Sequence, residues 1–366
     1  MRVKLGDIFE IGSGGTPSKS HPEYYGGNIP WVKTGDLKNE YLYEVEDFIT
    51  EEGLNNSSAK MYEADTVLIA MYGATIGATS ILKMNACANQ ACASFKKNEQ
   101  VIPEYLYYFL RSQKEKFVKD GVGGAQPNIS VGYLKKVEME LPSLEEQKVI
   151  VDILDKISDV VCKRSFELQF LDDLIKARFV EFFGDPKLND KGWNVGIVSD
   201  YYEVKGGKRI PKGMGYADGV TAHPYLRATD MKNETILDDD IHYIDEEVYE
   251  HIKRYTVKGG DIYLTNVGVN LGMAGVIPEK YDGANLTENA VKLVPKTEKV
   301  INGVFLAHYI NSPGIQDYIN ERKMSVGVPK LAIFRIETMP LLLPPIKMQN
   351  EFTSFCKQVN KSKFDS

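Results

Sequence analysis

The feature that most constrains this chain is a single long-range repetition of its own sequence. The run Ile29-Pro30-Trp31-Val32-Lys33-Thr34-Gly35-Asp36-Leu37-Lys38-Asn39 resembles His223-Pro224-Tyr225-Leu226-Arg227-Ala228-Thr229-Asp230-Met231-Lys232-Asn233, 194 positions later. Val67-Leu68-Ile69-Ala70-Met71-Tyr72-Gly73-Ala74-Thr75-Ile76-Gly77 matches Ile262-Tyr263-Leu264-Thr265-Asn266-Val267-Gly268-Val269-Asn270-Leu271-Gly272 at an offset of 195. Pro127, Leu134, Leu141, Pro142 and Gln147 match Pro329, Ile336, Leu343, Pro344 and Gln349 at 202. The offset grows by small loop insertions while the order holds. Three collinear matches mark a duplicated unit. The chain should therefore fold as two modules of one design.

Each copy reads as β-rich. Val67 to Met71 and Asp261 to Thr265 have the composition of buried strands bounded by turn-forming glycines. A short helix follows at Pro103–Arg111 and at Val304–Asn311, and each copy closes in a strand, Val137 to Pro142 and Thr338 to Pro344.

After Pro142 the apolar period changes. Ser143-Leu144-Glu145-Glu146 combines an N-cap serine with an acidic first turn. Ile150, Leu154, Ile157, Val161, Leu168, Leu171 and Ile175 then recur at spacings of three and four, with only Arg164 breaking the stripe. That is the pattern of a coiled-coil seam. Phe183-Gly184-Asp185-Pro186 supplies the stop. About forty residues make a helix of roughly 60 Å. In the second copy Ile346, Phe352, Cys356 and Val359 match Leu144, Ile150, Leu154 and Ile157, but the sequence stops at Ser366, equivalent to position 164. The expected fold class is α+β. Two tandem β-rich modules, 1–142 and 186–344, are separated by a spacer helix, 143–185. A short C-terminal helix, 345–366, pairs antiparallel with the spacer. Such a pair would leave Val161 to Ile175 uncovered, for a partner, a second copy or further chain to cover.

Hydrophobic residues make up 43% of the chain and charged residues 26%, ordinary for a globular protein. No apolar run is long enough for a membrane span, and Met1-Arg2-Val3-Lys4-Leu5-Gly6-Asp7 lacks a signal-peptide core. A cytoplasmic protein without membrane contact is expected. Among Cys87, Cys92, Cys162 and Cys356 no pair is two residues apart, and no histidine stands at zinc-ligand spacing from them. They are expected to be reduced thiols, with no metal site. The net charge of −7 taken alone argues against nucleic acid. Binding depends, however, on where the positive charge clusters.

The ordered motifs resemble those of type I restriction-modification specificity subunits. Gly14-Gly15-Thr16-Pro17-Ser18 and Tyr24-Tyr25-Gly26-Gly27-Asn28-Ile29-Pro30-Trp31 are similar to the family's opening segment. Gly73-Ala74-Thr75-Ile76-Gly77, Asn89-Gln90-Ala91 and Gly124-Ala125-Gln126-Pro127-Asn128-Ile129-Ser130 follow in its order. Leu141-Pro142 with Glu145-Glu146-Gln147 resembles the start of its spacer helix. Phe182-Phe183-Gly184-Asp185-Pro186 with Lys191-Gly192-Trp193 resembles the end of it. The resemblance spans nearly the whole chain. It implies two target recognition domains, each reading half of a split site in double-stranded DNA. It also implies helices that dock methyltransferase subunits, two of them expected, and a separate motor-nuclease subunit. The chain itself is then non-catalytic and without cofactor, with S-adenosylmethionine, ATP and Mg on the partners. The short final helix departs from the family's full-length pair.

The strongest local charge cluster is Lys205-Gly206-Gly207-Lys208-Arg209-Ile210-Pro211-Lys212, expected as a glycine-bearing loop whose cations attract phosphate. Thr16, Ser18 and Lys19 occupy the first module's equivalent and offer hydroxyls. A solvated turn is the alternative for either segment. Base reading needs Arg, Lys, Asn, Gln, Ser or Thr at a groove edge. Lys33 corresponds to Arg227, with Thr34 and Thr229 close by in the two copies, and Thr75 corresponds to Asn270. Gln126, Asn128 and Ser130 lie on a glycine-rich stretch whose counterpart carries Lys330. Each is also acceptable as a structural polar group. Ile150, Leu154, Ile157, Val161, Leu168, Leu171, Ile175, Phe352 and Val359 are the expected seam.

Catalytic motifs are absent. Leu343-Pro344-Pro345-Ile346 lacks the amide or acid and the aromatic of an amino-methyltransferase, and Gly206-Gly207-Lys208 lacks the spacing of a nucleotide cradle. The alternatives are a type IIB-like or methylation-only specificity subunit and, in another class, a coiled-coil scaffold without DNA contact.

Overall fold

Strand runs that are apolar at every position must be covered on both faces, and each module meets that demand in the same way. The computed structural model describes residues 1–121, 128–297, 300–324 and 327–363. Its contacts divide the chain into two units, Met1–Arg164 and Ser165–Ser366.

In the first unit a five-stranded sheet has the order Ile11–Ser13, Cys92–Phe95, Val67–Ala70, Thr79–Leu82, Tyr41–Leu42. All pairings are antiparallel except the last. Val67, Ile69 and Met71 point to one face and pack with Phe95, Leu106, Leu110 and Phe117. Leu68 and Ala70 point to the other, against Val32, Leu82 and Cys92. A three-stranded sheet, Phe48–Ile49, Tyr25–Val32 and Cys87–Ala88, lies beyond. The terminal strand Arg2–Lys4 pairs with Glu138–Glu140, so the module opens and closes in one ribbon.

The second unit repeats the plan. A four-stranded sheet has the order Tyr202–Gly206, Ala290–Pro295, Ile262–Thr265, Ala274–Val276. A three-stranded sheet consists of His242–Ile244, His223–Leu226 and Asn285–Leu286. Asn194–Ile197 pairs with Pro340–Leu343 as the closing ribbon. Helices Pro103–Ser112 and Gly303–Asn311 cover the sheets at the expected places. Each is followed by a second helix, Lys114–Asp120 and Pro313–Arg322, that the sequence reading did not contain.

The duplication extends to single hydrogen bonds. Gly14 N donates to Cys92 O (3.0 Å) and Gly207 N to Ala290 O (3.1 Å). Ile129 N donates to Met71 O (3.0 Å) and Leu331 N to Asn266 O (2.8 Å). The fully buried Gln147 accepts from Ile102 N (2.9 Å) and donates to Gln100 O (2.9 Å) and Pro142 O (3.0 Å). Its counterpart Gln349 accepts from Asn302 N (2.8 Å) and donates to Val300 O (3.4 Å) and Pro344 O (2.8 Å). Each glutamine staples the first turn of the following helix to the module it leaves.

The central helix runs Leu144–Phe183. Ser143 and Glu146 form a reciprocal cap: Glu146 N donates to Ser143 Oγ (3.3 Å), and Ser143 N to the Glu146 carboxylate (2.8 Å). These hydrogen bonds hold the Glu146 carboxyl below its usual range. The helix ends as expected, with Gly184 at φ +76° and its N–H on Val180 O. Trp193 Nε1 adds a bond to Phe183 O (2.9 Å), which gives the Gly-Asp-Pro…Trp spacing its purpose.

The C-terminal helix Ile346–Ser362 packs antiparallel on the last turns of the central helix: Phe352 meets Phe179 and Phe183, and Lys363 reaches Asp172. Ile175, Phe352 and Val359 are buried, and Leu171 packs against them. This shortens the span expected to be uncovered. Ile175 is enclosed and Leu171 half-buried because the pairing begins at Phe183. Ile150, Leu154 and Leu168 are half-buried, and Ile157 and Val161 are exposed. Among the described residues no helix is long and apolar enough to cross a membrane.

Candidate nucleic-acid interface

The residues expected at DNA lie on loops held in place by main-chain bonds, and their side chains fall into two groups: those already engaged within the protein and those left to solvent. In the first module, Gly14 and Gly15 follow the strand Ile11–Ser13. A Cβ on Gly14 would collide with the Ala88 and Asn89 carbonyls, and one on Gly15 with Ser58 and Ala59. Beyond them the Thr16 hydroxyl bonds Gln90, Ser18 and Ser20 share a hydrogen bond (2.7 Å), and Lys19 is exposed. Lys33 pairs with Asp47 (2.5 Å) beside the Trp31 ring, and Thr34 next to it is half-buried. The Thr75 hydroxyl donates to Tyr72 O (3.1 Å), closing the turn Gly73–Thr75. Asn128 is exposed and bridges to Tyr72. Ser130 Oγ accepts from Tyr133 N (3.1 Å) as the cap of Val131–Leu134. Gln126 lies outside the described residues.

In the second module the basic run divides differently from the loop expected. Lys205 is not on a loop. It sits in the strand Tyr202–Gly206, opposite Lys292, with Glu203 at 2.8 Å. Gly207 is demanded by the protein's own packing, since a Cβ there would strike the Leu286 and Thr287 carbonyls. Hence its lack of a side chain serves the strand crossing rather than a phosphate. Arg209 pairs with Glu288 (2.5 Å), whereas Lys208, Lys212 and Lys330 are exposed and meet no carboxylate among the described residues. Val267 bridges to Lys330 as Tyr72 does to Asn128. Thr229 is exposed with its hydroxyl on Asp230 (3.4 Å), Asn270 is half-buried, and the Asn270 carbonyl accepts the Thr265 hydroxyl.

Arg227 is the largest departure. Its guanidinium bonds Asp230 (2.6 Å) and Asp240 (3.0 Å). These bonds, Asp230 first, hold its proton more tightly still than a free arginine does. Two carboxylates occupy the fork that a guanine would need. The side chain is thus an internal strut as the protein stands, and Lys33, at the matched position, is also held by an acid. Sequence reasoning missed Arg254, Tyr255 and Lys292, which lie beside Lys205 although far from it along the chain. Aligning the two copies would have flagged Arg254, because its counterpart is Ala59.

Among the described residues no cluster of three His, Cys, Asp or Glu could hold a metal ion. Cys87, Cys92 and Cys356 are buried free thiols, and burial pushes them up to about 11, 12 and 12; Cys162 is exposed.

The type I restriction modification DNA specificity domain matches this chain twice, over residues 1–163 and 190–365. The MjaIX type I restriction enzyme specificity subunit of Methanocaldococcus jannaschii is 27% identical, over 98% of this chain and 88% of its own. The Escherichia coli EcoR124I/EcoR124II specificity subunit is 30% identical over 42% of this chain and 39% of its own. The solved S subunit from M. genitalium superposes with a TM-score of 0.56 at 14% identity, covering 99% of this chain and 90% of that one. A chain from a structure of type I restriction-modification complex assembly superposes with a TM-score of 0.58 at the same identity and coverage. With two matched copies of the family's domain and its fold in both units, the chain belongs to the family of type I restriction-modification DNA specificity subunits.

Proposed function

We infer that this chain is the non-catalytic DNA sequence-recognition subunit of a type I restriction-modification complex, each module reading one half of a bipartite site. The observation that carries this reading is the contrast between a shared skeleton and divergent loop chemistry. Gln147 and Gln349, or Gly14 and Gly207, make the same bonds, while Thr75 corresponds to Asn270 and Asn128 to Lys330 in the repeat. Two frames of one shape carrying different polar side chains suit two different half-sites.

The helices are the proposed dock for methyltransferase subunits, two per chain, with a motor-nuclease subunit joining them in the cytoplasm. S-adenosylmethionine, ATP and Mg would be bound by those partners. Ile153, Ile157, Val160, Phe166 and Phe170 support the dock: all stand on the central helix with at least half of their surface exposed. Such apolar side chains on one helix are a mark of association.

The test is a map of methylated adenines in the host genome with and without this gene, and with residues 186–344 exchanged for those of a relative. A split motif should vanish on deletion, and only one of its halves should change on exchange. An unaltered map, or a contiguous motif, refutes the reading.

A further inference from the structure

The second module holds a cavity of about 250 Å³ between its edge strand and the segment Arg254–Thr256. Lys205, Arg254 and Lys292 all line it. Lys205 and Lys292 are register partners on neighbouring strands, so both project from one face. Like charges placed directly opposite each other are destabilising unless something compensates them. The compensation is incomplete. Lys292 Nζ donates to Thr256 O (2.7 Å) and lies 3.6 Å from Asp261, and Lys205 has Glu203. Arg254 is exposed and meets no carboxylate among the described residues. Lys208, outside the lining, has its ammonium 5.8 Å from the ring of Tyr255, which lines the cavity. Three cations thus line one concavity with two carboxylates near them, on a chain whose net charge is −7. A concave wall of low dielectric concentrates such a field.

The charged side chains that line the cavity are donors only; no carboxylate or side-chain amide is among its lining residues. Donors alone suit an oxyanion, whose lone pairs accept charge-assisted hydrogen bonds, and among base edges they match only the O6 and N7 of guanine. The first module lacks the feature. Its matching bonds, Tyr62 N to Ala86 O against Val257 N to Ala284 O, place Ala59 where Arg254 stands. Gly12 and Ser94 take the places of Lys205 and Lys292, and the Ser94 hydroxyl donates to Gly12 O (3.3 Å). Lys60, in place of Tyr255, is the one charged residue among those counterparts.

We propose that this cavity seats a backbone phosphate of the DNA, with Arg254 and Lys205 as its ligands, so that the second module grips the backbone at a point where the first does not. The proposal rests on the DNA-reading function argued above. Its test is salt-dependent binding of the complex assembled on the full chain. The probes are two 30-base-pair duplexes, one carrying the methylated site and one scrambled. Arg254→Ala should weaken both duplexes by about the same factor. The ratio of wild-type to variant affinity should shrink about 3.5-fold between 50 and 200 mM salt, the release of one phosphate contact. Lys205→Gln should act in the same direction. Lys253→Ala, next in sequence but paired with Glu250 at 2.7 Å, should leave the salt slope unchanged. Unchanged binding by Arg254→Ala overturns the proposal. So does a loss confined to the site duplex at constant slope, which would make Arg254 a base reader. An equal effect of Lys253→Ala also overturns it, because general charge would then be responsible. A wild-type complex that does not prefer the site duplex refutes the underlying function instead.

Discussion

Replacing Gln147 by alanine removes both hydrogen bonds that its amide donates and the one that it accepts. The carbonyls of Gln100 and Pro142 and the N–H of Ile102 lose their partner where the glutamine side chain is wholly enclosed. A buried polar group left unpaired costs about 1–3 kcal/mol. With water admitted to the vacated space, the low end applies to each, about 3 kcal/mol altogether. The loss falls on the junction between module and helix rather than on the core of a unit, so an unfolding midpoint would under-report it. Hydrogen exchange is the right one. The Ile102 amide should exchange about 100-fold faster in Gln147→Ala, since 1.4 kcal/mol is a factor of ten. The Asn302 amide should be unaltered. Gln349→Ala should produce the mirror result, accelerating Asn302 and sparing Ile102. Acceleration below about threefold, or an equal response of both amides to either variant, would refute the stapling role.

Phe352→Ala should lower the stability of the second unit by about 4 kcal/mol and detach the C-terminal helix, seen as loss of protection across 346–362. Arg227→Gln strands the buried Asp230 and should cost about 2 kcal/mol in denaturant titration, discounted from a fully buried pair because Asp240 is open to water. Asp65 accepts from Lys83 and Lys97 (both 2.8 Å), and those bonds hold its carboxyl below the usual value. Its stabilising contribution is present above the unfolded carboxyl range, about pH 4, and is lost as pH falls through the lower folded value. Melting temperatures of wild type and Asp65→Asn should therefore differ at pH 6 and converge as pH approaches 3. A constant gap would refute this linkage.

Much of the fold was readable because it is written locally or periodically. The spacing of three and four from Ile150 to Ile175 specifies a helix wherever it lies. Ser143 with Glu146 supplies its start, and Gly184 its end. The duplicated order specifies two modules because equal sequences find equal minima. The second helix of each module went unread. Lys114–Asp120 and Pro313–Arg322 are short and mostly polar, and each is held by one or two buried side chains such as Phe117 or Ile315.

The candidate interface was legible as positions and not as states. Residue type announces that Lys33, Arg209 and Arg227 are cations. It is silent on Asp47, Glu288 and Asp240 standing against them, because those acids arrive from other loops. The same holds for Gly207, whose chemistry invites a ligand but whose neighbour is the chain's own carbonyl. By itself the sequence determined a duplicated α+β chain with one long helix and one short one, since propensity, capping and repetition act over a few residues or by collinear copying. Only the tertiary structure decided which cations are engaged and which are not. It also brought Arg254 beside Lys205 and set Phe352 against Phe179 and Phe183, because an ion pair or a packed seam depends on distances that the chain acquires when it folds.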